Sequence, residues 1–472
     1  MTQASDPAPR SFWQAGAHQV AALRGRMPRS ARRYALTAFF TFEVVCLTFL
    51  QKIAVPLDFE QFGFSLNLGA VELAIPLSYL ALGVLFIFAP PRIEVNRLVL
   101  FVIFVLLALI SVSAVRNTFS PSSLMLVLII NAPFIFVIDI GESTYRKLIK
   151  IYLNIMIFFG LVVLLQHAMQ LLWTWRSWPN LDRLIPENFL FSGFVYIQPI
   201  RYGSNLMKPN GIFFLEVSYI SQWTAVALAL ELVYFRRIFR LLFYSVILLA
   251  SFAGTGLLLL AICAPVLLTR MSWKSLLGVA AVVALGVVFA VQINWYQQVN
   301  QRFTEYQQTR SSANHRFIEP FEVLMDVIHK DNSMFTGEGP GNIPKGEARI
   351  WWASTKLTYE YGLLPAISFM AFFAYMLFYK APSQRIALVL FVLFNLMGGF
   401  NIPVYPLLIF LIGGLFRVHD GKDSGETPGK TERRKGSRSA SLNSPWRTPS
   451  SEPSSRVAGR VAGAAEALSI VR

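Results

Sequence analysis

Cysteine and charge are what this chain has least of. Of its 472 residues only two are cysteine, Cys46 and Cys263. Both fall inside apolar runs, so neither a disulfide framework nor a zinc-binding set of thiolates is available. Charged residues make up 14% of the chain against 55% hydrophobic, with 40 phenylalanines and a mean hydropathy of +0.51. No soluble core of this size needs that much apolar surface. No internal repeat is visible, which removes solenoid and propeller folds. No small-residue cleavage pattern follows the first apolar run, so the start of the chain reads as an uncleaved signal anchor and not as a secretory leader.

Apolar length is abundant instead. Many windows approach the ~20 residues that a helix needs to cross a bilayer. Spans are expected over 34–56, 70–89, 98–115, 124–140, 151–172, 212–235, 276–295, 357–379, 386–400 and 405–416. The run 241–268 is too long for one crossing helix and is interrupted at Gly254-Thr255-Gly256, so it reads as two short helices meeting near Ala253 to Gly256. The expected fold class is an all-α polytopic membrane protein with about twelve transmembrane helices. A basic tail, 1–33, precedes the transmembrane domain, 34–416. That domain carries two long connectors, 173–210 and 296–350. The tail 417–472 is rich in Ser, Gly, Pro and Lys/Arg and should be disordered.

The formal net charge of +16 does not point to nucleic acid. Residues 1–34 carry six Arg against one Asp, and residues 417–472 carry eleven Lys/Arg against six acids, so the tails supply +10 of it. Connectors with Arg92 and Arg97, with Arg146, Lys147 and Lys150, with Arg236, Arg237 and Arg240, with Arg270 and Lys274, and with Lys380 and Arg385 alternate with connectors that lack such clusters. Basic connectors stay in the cytoplasm, which puts both termini there and both long connectors outside.

Chemistry is expected at Arg201–Gln222, RYGSNLMKPNGIFFLEVSYISQ, where a basic loop turns through Pro209-Asn210-Gly211 into an apolar run. Glu216 is placed one turn inside that run, where a carboxylate is costly unless it faces a wet cavity or a protein interior. It either acts on a substrate or ties down a neighbouring helix. The first connector crowds Trp173, Trp175 and Trp178 around Arg176 and Arg183, as interfacial anchors or as surfaces on which sugars stack. In the second connector Phe317, Phe321, Leu324, Met325 and Ile328 recur at helical spacing, which predicts an amphipathic helix beginning at His315 and Arg316. Gly337 and Gly339 follow in GEGPGN, either a turn or a stretch whose amides approach an anion. The cations Arg176, Arg183, Arg201, Lys208 and Arg316 on the outer side suit a pyrophosphate, whose oxygens match guanidinium forks. Glu216 and His315 are candidate bases, and Glu360 is a third unless it only caps or pairs.

KPNGIFFLEVSYISQ, then FAGTGLLLL, then an Arg ahead of GEGPGN, then KLTYEYGLLP, resemble in their order the bacterial O-antigen polymerase and ligase superfamily, and particularly its Wzy-type exopolysaccharide polymerases. The likeness spans roughly residues 200–370. It implies a fold similar to C-type glycosyltransferases and a place in the bacterial inner membrane. The activity implied is metal-independent transfer of sugar chains from undecaprenyl pyrophosphate at the periplasmic face. No cofactor is implied, and a flippase and a chain-length regulator would be partners. The family's two arginine regions correspond to Arg201 with Lys208, and to Arg316. Two departures stand out. Arg201 precedes Gly211 by one residue fewer than in some members, and Trp352–Lys356 stand where many ligases carry a histidine. Two alternatives remain, a ligase that moves finished polymer to an acceptor and a flippase that moves the lipid-linked sugar without bond chemistry.

Overall fold

The computed structural model describes residues 29–58, 67–115, 119–173, 181–191, 196–200, 204–269, 318–329, 333–343, 352–396 and 402–419. Among the described residues the chain is mostly helical, with fourteen α-helices. These are α1 (Arg29–Phe49), α2 (Ala74–Phe88), α3 (Val95–Ala114), α4 (Pro121–Asn131), α5 (Glu142–Leu172), α6 (Val217–Tyr234) and α7 (Ile238–Ala250). The rest are α8 (Gly254–Leu268), α9 (Glu319–His329), α10 (Ser333–Thr336), α11 (Ala353–Tyr361), α12 (Leu363–Phe378), α13 (Gln384–Leu396) and α14 (Val404–Ile409). Two of them, α3 and α5, are long and apolar enough to cross a membrane, and seven further apolar segments are shorter.

The structure corrects the all-α expectation in two places. An antiparallel pair, β1 (Ala54–Asp58) with β2 (Asn67–Glu72), lies between α1 and α2. The last residues of the expected first span and the first residues of the second therefore belong to strands. At the opposite helix ends β3 (Arg92–Ile93), β4 (Phe136–Gly141) and β5 (Phe416–His419) form a three-stranded sheet. Its β4–β5 pairing is parallel and joins residues almost 280 positions apart. The expected fourth span, 124–140, stops as an α-helix at Asn131. Pro133 has no N–H to continue the ladder, so the chain tightens into a 3-10 turn at Ala132–Ile135 and then extends as β4.

Arg97, in the first turn of α3, is what the sheet end is built around. It is 1% exposed. Its guanidinium donates to the carbonyls of Phe134 at 3.1 Å, Phe136 at 3.3 Å, Met376 at 3.0 Å and Gly414 at 2.8 Å. Each of these carbonyls lies where a helix ends or changes pitch, the last in the π-helical turn Phe410–Gly414 that follows α14. One planar, five-donor side chain thus satisfies acceptors that the helices cannot. Arg417–Glu94 at 2.6 Å and Arg92–Asp139 at 2.8 Å join the same end.

The expected break in 241–268 falls at residues 251–253. Phe252 takes a positive φ of 53° there, and α7 and α8 each pack against α6. Ser221 of α6 holds the break by donating to Ala253 O at 3.1 Å and accepting from Gly256 N–H at 3.2 Å. A Cβ on Gly256 would lie 2.3 Å from Ser221 O. The run 357–379 is likewise divided, by Gly362 with φ of 83°, into the polar α11 and the apolar α12. A methyl group at Gly362 would lie 2.1 Å from Phe335 O. Gly362→Ala should therefore lower stability by at least the ~1–3 kcal/mol of a strained backbone position, read as a fall in melting temperature. The run 276–295 and the tails 1–28 and 420–472 lie outside the described residues.

Candidate functional site

The polar residues at the end opposite the three-stranded sheet are drawn together by α5. Gln166 and Gln170, both buried, face the loop that leads into α6. Gln170 receives the Met207 N–H at 2.7 Å and donates to Met207 O at 3.0 Å, and Gln166 receives the Gly211 N–H at 2.8 Å. Asn210, 2% exposed, accepts from the Ile212 N–H at 3.0 Å and donates to Tyr196 O at 3.0 Å. Gly211 and Ile212 both have positive φ, 67° and 68°. This turn delays the helix, so that α6 starts at Val217 and not near Ile212. Glu216 is consequently the residue that caps α6, with extended backbone, and does not sit a turn inside it. Its carboxylate is half-buried and accepts from Ser218 Oγ at 3.3 Å. Its place at the head of α6 is one where negative charge is favoured, although the carboxylate makes no capping hydrogen bond to the helix amides.

The end of α1 supplies a buried cation at the same end of the helices. Gln51 accepts from the Leu215 N–H at 3.3 Å, which joins the residue before Lys52 to the residue before Glu216. The Lys52 side chain is 0% exposed, pairs with Asp182 at 2.6 Å and lies 5.2 Å from the centre of the Tyr196 ring. Burial pushes the Lys52 ammonium down from its usual range, and Asp182 acts in the opposite direction. Burial also raises the Tyr196 phenol, and the charges of Asp182, Glu216 and Glu72 raise it further. Those three carboxylates therefore lie within electrostatic reach of a single hydroxyl. The Tyr196 O–H itself donates to Phe191 O.

Glu72, at the end of β2, is 0% exposed. Burial raises its carboxyl to about 8, only partly offset by the nearby Val404 amide. A carboxyl raised in the folded state binds its proton more tightly there than when unfolded, so stability falls as pH climbs from about 4.5 through about 8 and then levels off. Glu72→Gln should abolish that slope, which melting curves recorded between pH 5 and pH 9 would reveal.

The glycine-rich stretch forms a separate arrangement beside α3 and α4. One of its amides meets a carboxylate of the chain itself, and two others bond backbone carbonyls of α11. The Gly341 N–H donates to a Glu360 carboxylate oxygen at 3.2 Å, Gly339 N–H to Glu360 O at 3.0 Å and Glu338 N–H to Tyr359 O at 2.8 Å. Glu360 is 2% exposed and lies 3.7 Å from Lys356 Nζ. Burial raises the Glu360 carboxyl while Lys356 opposes the shift. Gly337 and Gly339 are closely packed, and a Cβ on Gly337 would lie 2.6 Å from Gly362 N. In the structure they belong to a clasp around the end of α11, with Glu360 as its buried partner.

Of the other residues singled out from the sequence, Lys208 is half-buried in the loop before α6 with its N–H donating to Gln198 O at 2.8 Å. Arg183 is exposed next to Asp182, in the short turn Leu181–Arg183. Trp175, Arg176, Arg201, His315 and Arg316 lie outside the described residues. The amphipathic segment following His315 is observed as α9, whose Phe321 ring meets Trp352 edge-on at 5.1 Å. Sequence reasoning missed Lys52, Glu72, Asp182 and Tyr196. Lys52 and Glu72 did leave a signal, each being a charged residue inside a run counted as membrane-spanning. Comparisons of the chain with protein-family models, with curated proteins and with solved structures found no match.

Proposed function

We propose that the chain is a polytopic glycosyltransferase of the bacterial inner membrane. It joins oligosaccharide repeat units carried on undecaprenyl pyrophosphate into a surface polysaccharide, at the face away from the cytoplasm. A membrane setting is supported by the exposed apolar side chains on successive helices, among them Ile87 (68%), Leu106 (54%), Ile110 (64%) and Leu165 (53%), while Gln166, Gln170, Ser221 and Arg97 are buried between helices. Such an inside-out distribution suits lipid as the solvent. In this reading the apolar helices and the run 276–295 make up about twelve crossings, with the basic connectors, the three-stranded sheet and both termini on the cytoplasmic side.

The observation that carries the reading is the half-buried Glu216 carboxylate at the head of α6, joined through Gln51–Leu215 to Lys52 at the end where the first long connector folds over the helices. In the proposed step an acceptor hydroxyl attacks the anomeric carbon of the donor sugar. The bond from that carbon to the pyrophosphate oxygen breaks, the hydroxyl proton passes to Glu216, and lipid pyrophosphate leaves. Arg201, Lys208 and Arg316 are assigned to the pyrophosphate, where fixed cations stabilise the charge that develops. His315 is the second candidate base, and Trp175, Arg176 and Arg183 are assigned to the sugar chain. Deleting the gene in the source bacterium and analysing its lipid-linked sugars tests this. Accumulated single repeats support a polymerase, whereas full-length polymer on lipid would identify a ligase. The break between α7 and α8, next to Gly254-Thr255-Gly256, favours a flippase, since transporters place broken helices beside their substrate. Single repeats held at the cytoplasmic face in the deletion strain would identify that activity.

A further inference from the structure

The way the first connector is fastened over Lys52 suggests what else that lysine does. Residues 181–191 contain two short turns, Leu181–Arg183 and Glu187–Phe189, of which the first turns the Asp182 carboxylate inward, and Leu184 and Phe189 are exposed. The segment meets the end of α1 through the Lys52–Asp182 pair, the Phe191 N–H donating to Lys52 O at 3.0 Å and a backbone bridge between Ile53 and Leu190. Phe191 at its end packs against the core, while Leu184 and Phe189 are exposed, and a segment with so little apolar anchorage opens at low free-energy cost. Lys52 itself is held from α1, where Gln51 is fixed to Leu215, and Tyr196, whose ring lies against its ammonium, is tied to Asn210 as well as to Phe191. Lifting 181–191 would leave Lys52 without its carboxylate partner.

We propose that Lys52 binds the diphosphate of the lipid-linked donor and that Asp182 occupies its place in the closed state, the two anions exchanging as the donor enters. No covalent bond changes in this exchange. A diphosphate offers more charge and more acceptor oxygens than one carboxylate and so gains more from the ammonium. Until it arrives, Asp182 spares Lys52 the cost of being buried unpaired. The inference deepens the reading above and rests on it for the choice of a lipid diphosphate. Inorganic pyrophosphate presents the same oxygens without lipid.

Calorimetric titration of the full-length protein in nanodiscs with farnesyl diphosphate, and separately with inorganic pyrophosphate, tests the proposal. Lys52→Gln should weaken binding at least about tenfold, and Asp182→Asn should tighten it about tenfold, a change of ~1.4 kcal/mol. Partners across an antiparallel bridge lie within reach of a disulfide, and the native Cys46 and Cys263 are both buried. An Ile53→Cys/Leu190→Cys pair should therefore block binding when oxidised and restore it when reduced, which keeps the test intact if Asp182→Asn fails to fold. A response to both ligands assigns the site to phosphate chemistry alone, and a response to farnesyl diphosphate alone assigns it to the lipid-linked form. Equal binding by the oxidised and reduced pair, or wild-type binding by Lys52→Gln, would overturn the proposal. Neither readout involves sugar transfer, so failure here and failure of the polymerase reading are separate results.

Discussion

Glu216→Gln is expected to slow elongation of a lipid-linked repeat by about 10²–10⁴-fold, the range that a positioned general base supplies, with melting temperature and membrane yield unchanged. Glutamine keeps the shape of the side chain and can still receive the Ser218 hydroxyl, which lies 3.3 Å from the carboxylate. It cannot take a proton from an acceptor sugar. The half-buried position of Glu216 at the head of α6 limits the stability cost of losing its charge. A variant that melts much earlier while elongating normally would assign Glu216 to helix capping instead.

Arg97→Ala carries the largest expected loss of stability. It would leave the carbonyls of Phe134, Phe136, Met376 and Gly414 without the donor that now reaches all four. A buried acceptor stripped of its partner costs about 1–3 kcal/mol, and the four together are comparable with the ~5–15 kcal/mol that holds a typical fold. The variant should be degraded in the membrane, or should elute as aggregate after detergent extraction. Arg97→Lys should rescue little, because one ammonium with three donors cannot replace a planar fork spread over four acceptors. A sharp monodisperse peak and wild-type melting temperature for Arg97→Ala would show that the sheet end is held by packing alone.

The helices were legible because long apolar runs leave few other options, and the break near Ala253 was legible because no single helix accommodates 28 residues within one crossing. Their ends were not. FVIDIG, residues 136–141, is as apolar as a helix would be, and only its pairing with Phe416–His419 makes it a strand. Hydropathy cannot register such a distant partner. Glu216 was found but misplaced by one turn, because the side chains of Gln166 and Gln170 on α5, remote in sequence, keep the loop before α6 from winding earlier. Lys52, Glu72, Asp182 and Tyr196 come from four separate stretches, so no spacing rule links them. Gly337 and Gly339 show the converse. A glycine-rich sequence able to receive an anion was recognisable, whereas the buried Glu360 that fills it depends on the fold.

The most direct measurement is elongation by the purified protein, supplied only with a synthetic undecaprenyl-pyrophosphate-linked repeat and neither metal nor nucleotide sugar. The account predicts a ladder of lipid-linked products increasing by one repeat at a time, lost in Glu216→Gln and in Lys52→Gln. A wild-type protein that leaves the single repeat intact, or a ladder that persists in both variants, would contradict it.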